Sequence, residues 1–205
     1  MQAPILLVPK AINSSLCTEL ILAWEWGGHE LSYMMVEESN KRLGRVYDPR
    51  KKSRQDHFLS DVNLLKKITA DIRQNVLPHI ELAFRYKVTR YEDFRIGCYE
   101  SDQMGFFGPH RDDSTEGTAH RAFALSVGLN EEPYDGGEIK FPNFAYCGYK
   151  LQHGDALVFS SGLIHEVTPV TSGRRFALLS FLYGESESKR RKEYYCRLAS
   201  ATLPT

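Results

Sequence analysis

The chain lacks several features that would assign it to a common class of protein. Its 26 basic and 26 acidic side chains cancel, so no overall field directs it toward nucleic acid or an anionic membrane. Its four cysteines are far apart and form no C-x-x-C pair, which indicates neither a disulfide framework nor a thiolate zinc site. The apolar stretch Ala3–Val8 is too short for a signal peptide, and no run approaches the length of a membrane span. We therefore expect a soluble, unprocessed protein in the reducing cytoplasm.

Domain boundaries are also absent. No internal repeat, low-complexity tract or Pro/Gly/Ser-rich linker divides the sequence, so residues 1–205 are predicted to form a single domain. Within it we expect helical support over about residues 1–90, a β-core over about 91–184 and a C-terminal helix over about 185–200.

The first part of the chain looks helical after a short strand near Ile5–Val8. Asn13 and the serines behind it offer caps for an amphipathic helix that ends near the glycine pair at 27 and 28. A second helix is predicted after Ser60, and Pro78 kinks or restarts it. Its apolar stripe is formed by Leu64, Leu65, Ile68, Ile72 and Val76.

From about Tyr91 the texture changes to short apolar, β-branched and aromatic runs separated by Gly, Pro, Asn and Asp. Glycine-containing turns are predicted at Tyr134–Gly137, Gln152–Asp155 and Thr171–Gly173. Helices followed by a run of strands predict an α+β fold with a double-sheet β-core. The candidate strands are Phe94–Tyr99, Arg121–Leu129, Glu138–Phe141, Ala156–Phe159, Ile164–Pro169 and Arg175–Tyr183.

Four residues of this β-region are chemically informative. His110 and Asp112 are two positions apart, so on an extended chain they face the same side and can bind one metal ion together. His165, from a distant strand, supplies a third ligand, and two imidazoles with one carboxylate are the ligand set of non-haem Fe(II) oxygenases. Arg175 follows His165 by ten positions and can bind the far carboxylate of an organic acid held on that iron. Together they suggest an oxidative enzyme.

Longer motifs surround these residues. The chain reads RIGCYESDQMGFFGPHRDD over residues 95–113, then RAFALSVGLNEEPYDGGEIKFP, and SGLIHEVTPVTSGRRFALLSF over residues 161–181. This set resembles the catalytic domain of the Fe(II)- and 2-oxoglutarate-dependent dioxygenases, in the prolyl-4-hydroxylase-like branch. The resemblance is strongest from Tyr91 to Gly184. It implies a double-stranded β-helix, or jelly roll, braced by the amino-terminal helices.

The resemblance also implies roles and cofactors. His110, Asp112 and His165 would form the catalytic iron site, with Fe(II), 2-oxoglutarate and O2 as cofactor and cosubstrates and ascorbate as an optional supporting reductant. Arg175 would bind the C5 carboxylate of 2-oxoglutarate, and Tyr99 matches a tyrosine that helps to hold this cosubstrate. The reaction would hydroxylate an unactivated C–H bond and release succinate and CO2.

One position departs from the family pattern. Several relatives place a tyrosine beside the arginine, on the strand that leads to the GGE turn, whereas this chain has Gly128 there. If inward positions alternate, Ser126 and Gly128 both face the pocket, and Ser126 supplies a replacement hydroxyl. At the start of the same strand, His120 and Arg121 are interpreted as rim residues, with a catalytic role as the alternative.

The substrate is less sharply defined. The branch suggests a prolyl or other side chain of a protein or peptide; a free amino acid or small metabolite, or a non-catalytic metal- or 2-oxoglutarate-binding sensor, are the alternatives. A nucleic-acid substrate is disfavoured. Nucleic-acid oxidative demethylases with the same three metal ligands usually carry an R-x-N-x-T-x-R pattern at the distal arginine, whereas residues 175–181 of this chain read RFALLSF. No membrane partner is expected, and the sequence specifies no oligomeric state. Residues 41–57 carry seven basic side chains and are read as a solvated loop, with a substrate lid as the alternative.

Overall fold

A computed structural model describes residues 3–39, 42–144 and 147–200. Among these residues, no helix has both the length and the apolar character needed to cross a bilayer. The helices are α1 (Ser14–Gly27), α2 (Val62–Asn75), α3 (Leu77–Phe84) and α4 (Glu185–Ser200). The strands are β1 (Ile5–Val8), β2 (Glu30–Leu31), β3 (Met34–Glu37), β4 (Leu43–Val46), β5 (Lys52–Ser53), β6 (Gln55–Phe58), β7 (Arg90–Tyr91), β8 (Arg95–Glu100), β9 (Phe106–His110), β10 (Phe123–Gly128), β11 (Asp135–Gly136), β12 (Ile139–Lys140), β13 (Ala156–Ser160), β14 (His165–Val167), β15 (Val170–Ser172) and β16 (Arg174–Tyr183).

The amino-terminal helices begin where the capping residues predict. The Asn13 side chain accepts a hydrogen bond from the Ser15 N–H at the start of α1, and Asp61 caps α2 in the same way. Pro78 stands in the first turn of α3, so it starts a new helix rather than bending α2. Ile68 and Ile72 are the buried residues of α2.

Most strands belong to two antiparallel sheets. The larger has the order β1-β13-β10-β16-β8-β6-β2, with β7 also pairing β16; the smaller has the order β12-β14-β9-β5. Two further strand pairs, β11-β15 and β3-β4, stand apart from them. The predicted α+β class with many antiparallel strands is therefore confirmed.

Side-chain alternation on the larger sheet creates two faces. Leu125 and Val127 of β10 pack in one core cluster with residues of α1, α2 and α3, such as Leu20. Ala124, on the opposite face, belongs to a second cluster that includes Ile139 of the smaller sheet. The larger sheet is thus covered by helices on one face and packs against the smaller sheet on the other, where the site described below lies.

The expectation of helical support over residues 1–90 holds only in part. The structure forms strands β2 to β6 between positions 30 and 58, and β6 joins the larger sheet beside β8. Here the pairing of an extended segment with a sheet edge outweighs local composition. The predicted turns at Gln152–Asp155 and Thr171–Gly173 are confirmed, since Gly154 and Gly173 have φ angles of 82° and 71°.

Candidate active site

Strand pairing brings the two predicted histidine ligands together. His110 ends β9 and lies opposite His165, which begins β14. Asp112 follows in a turn rather than on the strand, and its N–H donates to the carbonyl of Ser161 just upstream of β14. The carboxylate lies 3.5 Å from Nε2 of His110 and 3.4 Å from Nε2 of His165. One ligand atom from each residue lies within 4.8 Å of the others, so the three can hold one metal ion.

The hydrogen bonds of Nδ1 indicate the tautomer of each neutral histidine ring. Nδ1 of His110 lies 2.8 Å from the carbonyl oxygen of Gly108, and Nδ1 of His165 lies 3.0 Å from that of Leu163. Because a carbonyl only accepts hydrogen bonds, Nδ1 carries the proton in the neutral ring and donates it. The lone pair on each Nε2 therefore faces Asp112, which is the usual orientation of histidine ligands in metal sites.

Electrostatics favour the charge states that a metal ion requires. Burial opposes the charge on Asp112, but positive charge on His165, His110 and Arg121 outweighs it and holds the carboxyl pKa below its ordinary value; a bound cation would supply this charge when the rings are neutral. Burial lowers the pKa of His165, even though Asp112 acts in the opposite direction. An ionised carboxylate beside a neutral imidazole is the combination that coordinates a divalent cation.

A narrow cavity of about 60 Å³ leads away from these three residues and is also lined by Arg175, Tyr99 and Ser126. Arg175 is only 3% exposed. Its Nη1 and the hydroxyl of Ser126 are buried without a hydrogen-bond partner among the described residues. Buried donors without partners are costly. A carboxylate bound in the cavity would satisfy them, and this makes the residues present well suited to an organic acid.

Tyr99 lies directly across the sheet from Arg175. The two residues pair between β8 and β16, and the Arg175 guanidinium carbon lies 4.9 Å from the centre of the Tyr99 ring. The Tyr99 hydroxyl accepts a hydrogen bond of 3.0 Å from Nη1 of Arg54, so its own proton is free for another acceptor. The side chain that sequence comparison placed near the cosubstrate thus faces the cavity.

Gly128, unlike Ser126, does not line the cavity. A Cβ built on Gly128 would lie 2.7 Å from the carbonyl oxygen of Gln152 and 2.9 Å from Cβ of Leu151. Gly128 keeps the alternation and lies on the same face as Ser126, but Leu151, a member of the inner cluster, fills the space in front of it. The close approach of the 151–152 backbone requires glycine here and leaves no room for a tyrosine.

Residues 41–57, the segment with seven basic side chains, contain buried charged residues that the sequence did not predict. Lys52, Arg54 and Asp56 are 4%, 6% and 4% exposed, so the reading as a solvated loop is wrong for them; Lys41, at the start of the segment, lies outside the described residues. Arg54 donates to both oxygens of Asp56, at 2.6 and 2.8 Å, and also to Tyr99. The two-residue spacing of these charges is a period-two pattern that could have indicated a strand with one charged face.

His120 is buried, and both His120 and Arg121 bond one carboxylate. Nε2 of His120 and both Nε and Nη2 of Arg121 bond the carboxylate of Glu92, at 2.7, 2.8 and 2.9 Å. Nη1 of Arg121 donates to the backbone carbonyl of Asp112 at 3.1 Å. These bonds hold the turn that carries the carboxylate ligand.

A second, wider cavity of about 360 Å³ adjoins the first and shares His110, Asp112, Phe107 and Arg95 with it. The ring of Phe107 stacks on His110 with centroids 3.5 Å apart. Phe107 thus lines both cavities, and an organic molecule in the wider cavity would lie next to the candidate metal centre.

Comparison with known proteins agrees with this geometry. The family model described as the 2OG-Fe(II) oxygenase superfamily, where 2OG denotes 2-oxoglutarate, matches residues 94–183. This range contains all four residues that the ligand pattern singled out, His110, Asp112, His165 and Arg175. Residues 94–183 of this chain are thus similar to the 2OG-Fe(II) oxygenase superfamily.

Curated proteins named PKHD-type hydroxylases are similar to this chain over part of their length. A PKHD-type hydroxylase of Maricaulis maris is 35% identical over 117 residues, covering 56% of this chain and 52% of the relative. A PKHD-type hydroxylase of a Synechococcus strain is 30% identical over 121 residues, covering 56% and 51%. The chain thus spans about half the length of these curated relatives. A PKHD-type hydroxylase of Acinetobacter baumannii is 29% identical over 203 residues, 89% of this chain and 80% of the relative.

Solved oxygenases share the fold. A prolyl hydroxylase from Trichoplax adhaerens, in complex with a hypoxia-inducible-factor peptide fragment, superposes with a TM-score of 0.68 at 16% identity, covering 92% of this chain and 86% of its own. A Pseudomonas putida prolyl-4-hydroxylase superposes with a TM-score of 0.65 at 18% identity, covering 89% and 94%. The chain therefore has a fold similar to that of these two prolyl hydroxylases.

Proposed function

We propose that this protein is an Fe(II)- and 2-oxoglutarate-dependent dioxygenase that hydroxylates an unactivated C–H bond, with a prolyl or other side chain of a protein or peptide as its substrate. The names of its relatives, PKHD-type hydroxylases and prolyl hydroxylases, support this choice. Its two antiparallel sheets, packed around a shared cluster, support a double-stranded β-helix as the underlying fold.

One observation carries the proposal. Two histidines and a carboxylate, with one ligand atom of each within 4.8 Å of the others, stand beside a buried arginine that lacks a partner for Nη1 among the described residues. The iron would be held by Nε2 of His110, Nε2 of His165 and a carboxylate oxygen of Asp112, and its other coordination positions would stay open. Arg175, with the hydroxyls of Tyr99 and Ser126, would hold 2-oxoglutarate.

When bound, Fe(II) and 2-oxoglutarate supply the oxidation: one atom of O2 enters succinate as CO2 leaves, and the other enters the substrate as hydroxyl. The protein positions the reactants. The planar guanidinium of Arg175 suits a bidentate carboxylate contact, and it is held against the Tyr99 ring. Phe107 and the buried walls of the narrow cavity exclude water from the metal side.

Anaerobic titration tests the cofactor assignment. Visible absorption is recorded as apo-protein receives Fe(II) and then 2-oxoglutarate. A charge-transfer band that appears only with both additions is expected. It should weaken in Arg175→Ala, which removes the guanidinium group, and in Arg175→Lys, which replaces the planar guanidinium with a single ammonium charge. Arg174→Ala is the matched control, since Arg174 pairs with Glu25 at the surface.

Absence of the band from folded, iron-loaded wild type would refute the proposal and favour a metal-binding sensor. If the band appears, proteins and metabolites from cells with and without the enzyme are compared for mass shifts of one oxygen. A shift confined to peptides supports the protein substrate, and one confined to small molecules identifies a metabolite instead.

A further inference from the structure

Arg95 stands at the junction of the two cavities. It lies on β8, four residues before Tyr99 and on the same face of the sheet, and it lines both the narrow cavity and the wide one. Its side chain is 18% exposed and contacts Phe58 and Phe181, whose ring centres lie 5.9 and 5.4 Å from its guanidinium carbon. A cation is therefore held between aromatic rings where a substrate would pass.

Arg95 has no full anionic partner. The nearest carboxylate, Asp56, is bonded by two nitrogens of Arg54 and by the hydroxyl of Ser32. Nε of Arg95 lies 3.7 Å from Asp56, outside hydrogen-bond distance, and is buried without a partner among the described residues. Lys52 is 4% exposed and adds a further basic group to this cluster, in which three basic side chains face one carboxylate.

The remaining carboxylates of the wide cavity do not supply the missing charge. Glu92 is bonded by Arg121 and His120, and Asp112 faces the candidate metal ion. Asp93 is exposed at the mouth. Iron and Arg175 together carry three positive charges, which Asp112 and the two carboxylates of 2-oxoglutarate balance. Loading the proposed cofactors therefore leaves the charge of Arg95 uncompensated.

We propose that the substrate carries a carboxylate close to the oxidised carbon and that Arg95 binds this carboxylate at the junction of the two cavities. This inference rests on the proposed function, because it takes the wide cavity to be the substrate side of an oxygenase. Three exposed basic residues also line the wide cavity: Arg45, Lys51 and Arg111. Their positive charges would attract an anionic substrate toward the cavity. The carboxylate belongs either to an acidic side chain next to the target residue of a peptide or to a small free acid.

Binding to the anaerobic protein loaded with Fe(II) and 2-oxoglutarate tests the inference. The probes are three pools of hexapeptides with one internal proline, flanked by Asp/Glu, by Asn/Gln or by Lys/Arg. N-acetylaspartate and N-acetylasparagine form the small-molecule arm. The acidic member of either arm is expected to bind roughly ten- to a hundredfold more tightly than its amide counterpart, the range for one charge-assisted hydrogen bond. The arm that shows the difference identifies the source of the carboxylate.

Variants locate the effect. Arg95→Gln should remove the acidic preference and leave the charge-transfer band of 2-oxoglutarate unchanged, with folding checked by circular dichroism. Arg90→Gln removes a surface charge paired with Glu185 and should keep the preference. Equal binding of acidic and amide probes to wild type, or no binding of any probe, would overturn the inference without requiring a variant. So would loss of the band in Arg95→Gln, because Arg95 would then hold the cosubstrate. Failure of the proposed function is distinct, since wild type itself would then lack the band.

Discussion

Glu92 is predicted to stabilise the fold in a pH-dependent way. Burial would raise its pKa, but the hydrogen bonds and charges of His120 and Arg121 lower it from 4.5 to about 2. Because the pKa is lowered on folding, the stabilisation is complete above the unfolded pKa and is lost as the pH falls from about 5 to about 2. At about 1.4 kcal/mol per pKa unit, the difference corresponds to about 3 kcal/mol as an upper bound.

Glu92→Gln should therefore lower the free energy of unfolding by about 3 kcal/mol at pH 7, a size that also suits the loss of one partner from a buried ion pair. Urea denaturation followed by circular dichroism, at pH 7 and at pH 3.5, measures the difference between wild type and variant. This difference should shrink at the lower pH, since Glu92 itself becomes protonated in the unfolded chain and contributes less.

Glu19→Gln is the matched control. Glu19 pairs with Lys67 at the surface, where the two side chains are 41% and 53% exposed, so the expected loss is below about 1 kcal/mol. A Glu92→Gln difference that stays constant between pH 7 and pH 3.5, or that is no larger than the control, would refute the linkage argument and show that the network stabilises only through packing.

Three further predictions follow from the site and the sheet. His110→Ala and Asp112→Ala should each abolish iron-dependent turnover while the circular dichroism spectrum is retained; full activity in either variant would contradict the ligand assignment. Gly128→Ala should destabilise the protein by about 1–3 kcal/mol in thermal or urea unfolding, because the new methyl meets the Gln152 carbonyl, and unchanged stability would mean that the 151–152 backbone yields easily. Arg121→Gln should weaken metal binding measured by calorimetry more than Arg191→Gln does, since only Arg121 bonds the carbonyl of Asp112 among the bonds described.

The sequence predicted local elements well wherever the local pattern coincides with the tertiary environment. Asn13 and Ser60 mark helix starts to within two residues, and the apolar run around Leu125 is a buried strand. These predictions succeed because capping and periodicity act over a few neighbouring residues. The candidate ligands His110, Asp112 and His165 stand out in the sequence for a related reason: metal coordination restricts residue types strongly. The fold brings their ligand atoms within 4.8 Å of one another, and their binding of a metal ion stays a prediction.

Only the tertiary structure decided the rest. Local composition gave the segment around Lys52 and Arg54 the appearance of a solvated loop, yet sheet pairing buries these charges beside the cavity. The approach of another backbone segment, 151–152, also fills the space in front of Gly128, and this approach is invisible in the strand itself. The partners of a buried charge come from distant strands, and the sequence does not show which strands will meet. The sequence therefore indicated the candidate chemistry of the chain. The fold determined which charged side chains lack a partner and could bind a substrate.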